Sequence, residues 1–195
     1  MNLISISALL VYWATNSNAI INGTSIQWKP FYVQVSTNRW SCGGTIIEKF
    51  WVLTSFRCIE PVFNANAVHV VAVDFENRDL GWKRQYEISH IFRNKPVALL
   101  KSRNQFHHSQ IIHLCDRDKP EDSIVSTCGM GRISNSYNPG IPHTFATYLQ
   151  ETHYYLKPRS LHAGPLSLHS ILLDGSSICM GDQGGPLYTW NFGRK

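Results

Sequence analysis

No stretch of the chain stays apolar for the roughly 20 residues that a membrane-spanning helix needs. The apolar segment at the start, Leu3 to Ala14, falls short, so no membrane anchor is expected. Runs of like charge are missing too: 18 Lys and Arg against 13 Asp and Glu give a net charge of +5, spread along the sequence. That is the pattern of a solvated basic surface, and no nucleic-acid partner is expected, since a nucleic-acid patch clusters its cations. The nine histidines include His107, His108 and His113, of which only His113 has an acidic residue at helical spacing, Asp116, and that single pair falls short of a ligand set, so neither a metal site nor a cofactor is expected. Internal repeats, low-complexity linkers and long helical periodicities are absent as well.

What is present suits one compact unit. With 195 residues, 43% of them hydrophobic and 16% charged, the chain can bury one sizeable core or two small ones. Residues 1–19 read as a signal peptide, with an apolar core followed by Ser17 and Ala19 at the small-residue positions of a cleavage site. The stretch before that core departs from the usual pattern in having no Lys or Arg. Cleavage after Ala19 predicts a secreted, extracellular protein. It also makes Asn22-Gly23-Thr24 a usable N-glycosylation sequon.

From there the periodicity is that of β structure. Phe31, Val33 and Val35 alternate with Tyr32, Gln34 and Ser36, as in a half-buried strand. Short apolar runs follow at Gly44 to Ile47, Trp51 to Thr54, Val68 to Val73, Tyr86 to Phe92 and Val97 to Leu100, and Thr144 to Leu149 is strand-like. Turn formers separate them, among them Pro61, Asn64, Asn66, Asn77, Asp79, Gly81, the Asn94 to Pro96 stretch and a polar loop from Ile133 to Pro142. Many short strands at regular spacing predict barrels or a sandwich.

Five segments carry a more specific signal. Cys42-Gly-Gly-Thr-Ile-Ile47 resembles the CGGSLI strand of trypsin-like serine proteases, and Trp51-Val-Leu-Thr-Ser-Phe-Arg-Cys58 resembles their WVLTAAHC segment. Val97-Ala-Leu-Leu-Lys101 is similar to the IALLKL strand, Gly129-Met130-Gly131 to the GWG turn, and Gly181-Asp182-Gln183-Gly184-Gly185-Pro186 to the GDSGGP turn. The resemblance runs from Ile20 to the end. It implies an all-β fold of two six-stranded antiparallel Greek-key barrels, over 20–112 and 113–195, the second incomplete. It also implies a Cys42–Cys58 disulfide.

At the three triad positions the resemblance aligns other residues. Arg57 stands for the histidine, Pro96 for the aspartate and Gln183 for the serine. Acyl transfer by that route needs a hydroxyl nucleophile, a base that can take its proton and a buried carboxylate to orient the base. An amide is no nucleophile, a guanidinium is permanently protonated, and proline has no side-chain acceptor. No catalytic residue is therefore expected. The amides of Gly181 and Gln183 fall at the oxyanion-hole positions, where a carbonyl or anion could dock, and Ser177 falls at the base of the specificity pocket, leaving it neutral.

Asp182 matches the acid that pairs with the buried ammonium of activated proteases, and Ile20-Ile21-Asn22-Gly23 resembles their IVGG start. Two readings follow. Signal cleavage exposes the ammonium and Ile20 is buried, or a glycan on Asn22 hinders insertion and local N–H donors satisfy Asp182. Among the five cysteines one must be left over. Cys179 matches a family cysteine whose partner lies further along, and Cys115 with Cys128 is the weaker remaining pair. The family's second barrel continues beyond Trp190, so this one is expected to stay open at an edge, whether the chain is a piece or is truncated in nature. Two functions compete: an inactive homologue that binds proteins such as proteases, inhibitors or host-defence components, and a serine endopeptidase. A truncated product without a role is the third possibility.

Overall fold

The computed structural model describes residues 20–73, 83–115, 123–132, 145–157, 169–172, 176 and 178–189. The signal-peptide reading, Ser177, the turn formers at 77–81 and the 133–142 loop lie outside these residues. The described part is almost wholly β structure. A short strand β1 (Thr24–Ser25) precedes β2 (Tyr32–Thr37), β3 (Ser41–Glu48) and β4 (Trp51–Ser55). One helical turn, α1 (Phe56–Ile59), leads on to β5 (Val68–Val73), β6 (Lys83–Asn94) and β7 (Val97–Ser102). The second half supplies β8 (Ile124–Gly129), β9 (Gln150–Lys157), β10 (His169–Leu172) and β11 (Leu187–Tyr188).

Strands β2 to β7 close a barrel in the order β2-β3-β4-β7-β6-β5 with antiparallel neighbours. The alternation read in the sequence is its cause: Val33, Val35, Val52, Val68, Val70, Ala72, Tyr86, Ile88, Ala98 and Leu100 point inward and share one core. The barrel order leaves no free strand edge within that unit. The second sheet runs β1-β9-β8-β11, with β10 also on β9, and among the described residues it does not close. Two packed β units, one of them a closed six-stranded barrel and the other partial, are the trypsin-like architecture. Strand β1 belongs to the second sheet, pairing Thr24 with Glu151 and Ser25 with Gln150.

Two details differ from the sequence reading. Tyr32, on the polar side of the expected alternation, is fully buried, because the outer side of β2 is covered by the second unit. There Phe31 and Tyr32 pack with Cys128, Met130, Leu149 and Tyr188. Of the strand-like stretch at Thr144 to Leu149, the described residues 145–149 contribute an isolated bridge, Arg132 to Phe145, and the strand itself starts at Gln150. Its inward residues Gln150 and Thr152 are polar and find hydroxyl partners, Gln150 Nε2 donating to Ser25 Oγ at 2.8 Å and Thr152 bonding to Ser176.

Candidate functional site

The turn at Gly181 to Pro186 is seated on the first barrel by its backbone. Gly43 N–H donates to the Gln183 carbonyl at 2.9 Å, and the Thr54 hydroxyl donates to the Gly43 carbonyl at 2.7 Å. Two glycines make the turn possible: Gly181 has φ +98° and Gly184 φ +84°, a left-handed region that a Cβ disfavours. A Cβ at Gly184 would also lie 2.4 Å from Thr54 Oγ1 and 2.6 Å from the Gly43 carbonyl oxygen. The segment is thus held against β3 and β4 from both sides.

Asp182 anchors the turn on the other flank. Its side chain is buried, with Oδ1 accepting from Gly131 N–H at 2.7 Å and Oδ2 from Cys179 N–H at 2.9 Å. Burial raises its carboxyl to about 6, and the two N–H donors pull the other way. Ile20 is fully buried, and Asn22 is exposed with φ 58°.

The segments that carry Arg57, Pro96 and Gln183 touch one another through backbone atoms and the Cys58 sulfur. Arg57 projects to solvent from α1, directly before the disulfide-bonded Cys58. The Pro96 carbonyl, in the β6–β7 turn, accepts from Phe56 N–H at 2.9 Å. Cys58 Sγ lies 3.6 Å from the Gln183 carbonyl oxygen, a packing contact because a disulfide sulfur carries no proton. The Cys42–Cys58 bridge spans 16 residues and ties β3 to α1 beside the turn. No disulfide joins Cys115 to Cys128. Cys128 is a buried thiol whose titration burial pushes up strongly, next to Glu151 and Tyr188.

Sequence reasoning left the Gly181 amide open to a carbonyl or anion. In the structure that N–H donates to Gln183 Oε1 at 2.7 Å. The glutamine side chain bends back over its own turn to occupy that amide. A side chain two residues after the glycine and long enough to return was the available signal. A second unread feature is the partly buried pairing of Lys29 with Glu151 at 3.3 Å, with the Tyr188 hydroxyl donating to the same carboxylate. Nothing local in the sequence links residues so far apart.

Beside the turn lies a cavity of about 600 Å³ between β8, β9 and the 178–187 segment, lined by Thr127, Tyr154, Leu156, Ile178, Cys179 and Leu187 among others. Its walls are largely apolar.

A closed six-stranded barrel, a second partial sheet and a glycine-rich turn held by a buried aspartate define a trypsin-type chain, and residues 20–191 match the Trypsin family model. The chain belongs to the trypsin family. Similar proteins come from snake venoms: serine protease KN9 of Trimeresurus stejnegeri is 27% identical over 194 residues, covering 91% of this chain and 75% of that protein. The beta-fibrinogenase mucrofibrase-1 of Protobothrops mucrosquamatus is 28% identical over 196 residues, and the serine protease homolog HS120 of Bothrops jararaca 27% over 192, each with the same coverage.

Proposed function

We propose that this chain is a secreted member of the trypsin family that does not cut and works by binding other proteins, as a decoy, competitor or regulator in proteolytic cascades. The observation that carries the reading is the Gly181 N–H to Gln183 Oε1 bond. With Arg57, Pro96 and Gln183 taking the triad positions, nucleophile, base and orienting carboxylate are all missing. Proteases stripped of their triad still keep about 10³-fold acceleration from the oxyanion hole and binding. Here one of the hole's two amides, that of Gly181, is engaged internally, which weakens that remaining contribution. The signal-peptide reading of residues 1–19, the Asn22 sequon and the venom proteins among the relatives support an extracellular setting. One similar venom protein is itself named a serine protease homolog.

The competing reading, a serine endopeptidase, is favoured by the relatives named as proteases and as a fibrinogenase. It would require a substitute nucleophile beside Gly181, for which Ser176 and Ser177 are the nearest hydroxyls in sequence. Ser176 is fully buried. The two readings separate on a broad peptide-substrate panel with the secreted protein: the binding reading expects no turnover, and turnover lost in Ser176→Ala or Ser177→Ala establishes the endopeptidase.

A further inference from the structure

The cavity beside the turn has apolar walls of two kinds. Tyr154 and Leu156 of β9 are buried and share a small apolar cluster with Val125. Ile178, Met180 and Leu187 line the same cavity and are exposed, at 57%, 57% and 47%. Water therefore meets an apolar hollow of about 600 Å³, inside the size range of small-molecule sites. An apolar body seated there removes this surface from water, which is the favourable term in such binding.

Polar side chains in the wall differ in what they leave open. The Thr127 hydroxyl donates to the Pro186 carbonyl at 2.8 Å, and the Asp182 carboxylate accepts from the Gly131 and Cys179 N–H groups. The Cys179 thiol is at most a weak donor. Gln183 is different, because Gly181 N–H holds its Oε1 at 2.7 Å and no described residue accepts from its Nε2. Gln183 lines the cavity and Gly181 does not, so the held end of the amide faces the turn and the open end is a pair of N–H donors at the cavity wall. Charge at the wall comes from Asp182, whose buried carboxyl titrates at about 6 and is ionised above that. It disfavours an anionic head group nearby.

From these observations we infer that the cavity is a binding site for an uncharged, largely apolar small molecule with a carbonyl acceptor, its apolar body among Leu156, Ile178 and Leu187 and its carbonyl oxygen on Gln183 Nε2. A fatty ester or an aryl ketone has this chemistry. The site goes beyond the protein-binding reading above and does not depend on it. The two ends of the glutamine amide have separate tasks: Oε1 closes the Gly181 amide, and Nε2 offers a donor to the neighbouring cavity. A glutamate at this position would keep the first task and lose the second.

The test uses Prodan, an uncharged naphthyl ketone whose emission reports the polarity around it and hydrogen bonding to its carbonyl. The purified protein is titrated into a fixed low concentration of the dye at pH 8, and saturable one-to-one binding is expected. Leu187→Asp and Ile178→Asp, both at exposed walls, should abolish it. Gln183→Glu, which keeps an acceptor for the Gly181 N–H, should weaken it about tenfold and shift the bound dye's emission to the blue. Phe63→Ala, at a wholly exposed side chain of the first unit, should change nothing. Methyl octanoate should displace the dye, and octanoate and octylamine only at much higher concentration. Near-ultraviolet circular dichroism verifies that the variants fold. The inference is overturned by no binding at about 0.3 mM protein, by equal binding in Gln183→Glu or in both aspartate variants, or by octanoate or octylamine competing as well as the ester. A loss in Phe63→Ala would show dye adsorbed on exposed apolar side chains and also overturns it.

Discussion

The Gly181 amide and the Gln183 side-chain carbonyl lie 2.7 Å apart, so a residue at the centre of the glycine-rich turn serves as that turn's own ligand. This changes what the Gly181 to Pro186 stretch means. It is an ordered site with one of its two amide donors already used.

Replacing Gln183 by Ala leaves the buried Gly181 N–H without that acceptor. A loss of about 1 kcal/mol in unfolding free energy is expected, the ordinary cost of stranding one such donor. Chemical denaturation followed by fluorescence measures it; an unchanged midpoint would mean the bond contributes nothing.

Gly184→Ala should be more damaging. It combines φ +84° with a Cβ only 2.4 Å from Thr54 Oγ1 and 2.6 Å from the Gly43 carbonyl oxygen, so both the turn and β3 must shift. We expect a loss of about 2–4 kcal/mol by denaturant titration. Thr54→Ala in the same background should recover part of it.

Reducing the Cys42–Cys58 bridge releases a loop with a sequence separation of 16. Chain entropy puts its contribution at about 3 kcal/mol. A Cys42→Ala/Cys58→Ala double variant should therefore melt well below wild type. Equal melting temperatures would show that the barrel core holds that hairpin alone.

Asp182 gives a pH dependence of definite sign. Its carboxyl titrates at about 6 when folded against 3.8 in the free side chain, so between these values the folded state holds more protons than the unfolded one. The stability contribution of this group therefore falls as pH rises from about 4 to about 6 and is flat above. An Ile20 ammonium inserted beside Asp182 would lower the folded value and reverse that slope. Wild type compared with Asp182→Asn by denaturation at pH 4, 5, 6 and 7 reads the sign, and with it which of the two arrangements of the N-terminal segment the protein adopts.

Much of the first barrel was legible because its inward positions are apolar with period two: Val33 and Val35, Val68 and Val70, and Ala98 and Leu100 announce their strands. Strand β9 was not, since Gln150 and Thr152 face inward while being polar, and their partners Ser25 and Ser176 come from distant segments. Tyr32 was misassigned for a related reason. A strand sandwiched between two units buries both faces, and alternation along one strand cannot show the second cover. At the site, the residue types at 57, 96 and 183 carried the expectation that the triad chemistry is missing. The return of the Gln183 amide to Gly181 is a side-chain conformation, and no periodicity encodes it.

The central claim is that the cleft holds a protein ligand and performs no acyl transfer. Its most direct test is intact-mass analysis of the purified protein after exposure to a fluorophosphonate, with active trypsin treated alongside. The account predicts full modification of trypsin and no mass increase on this chain. A stoichiometric adduct on this chain that is lost when Ser176 or Ser177 is changed to alanine would contradict it.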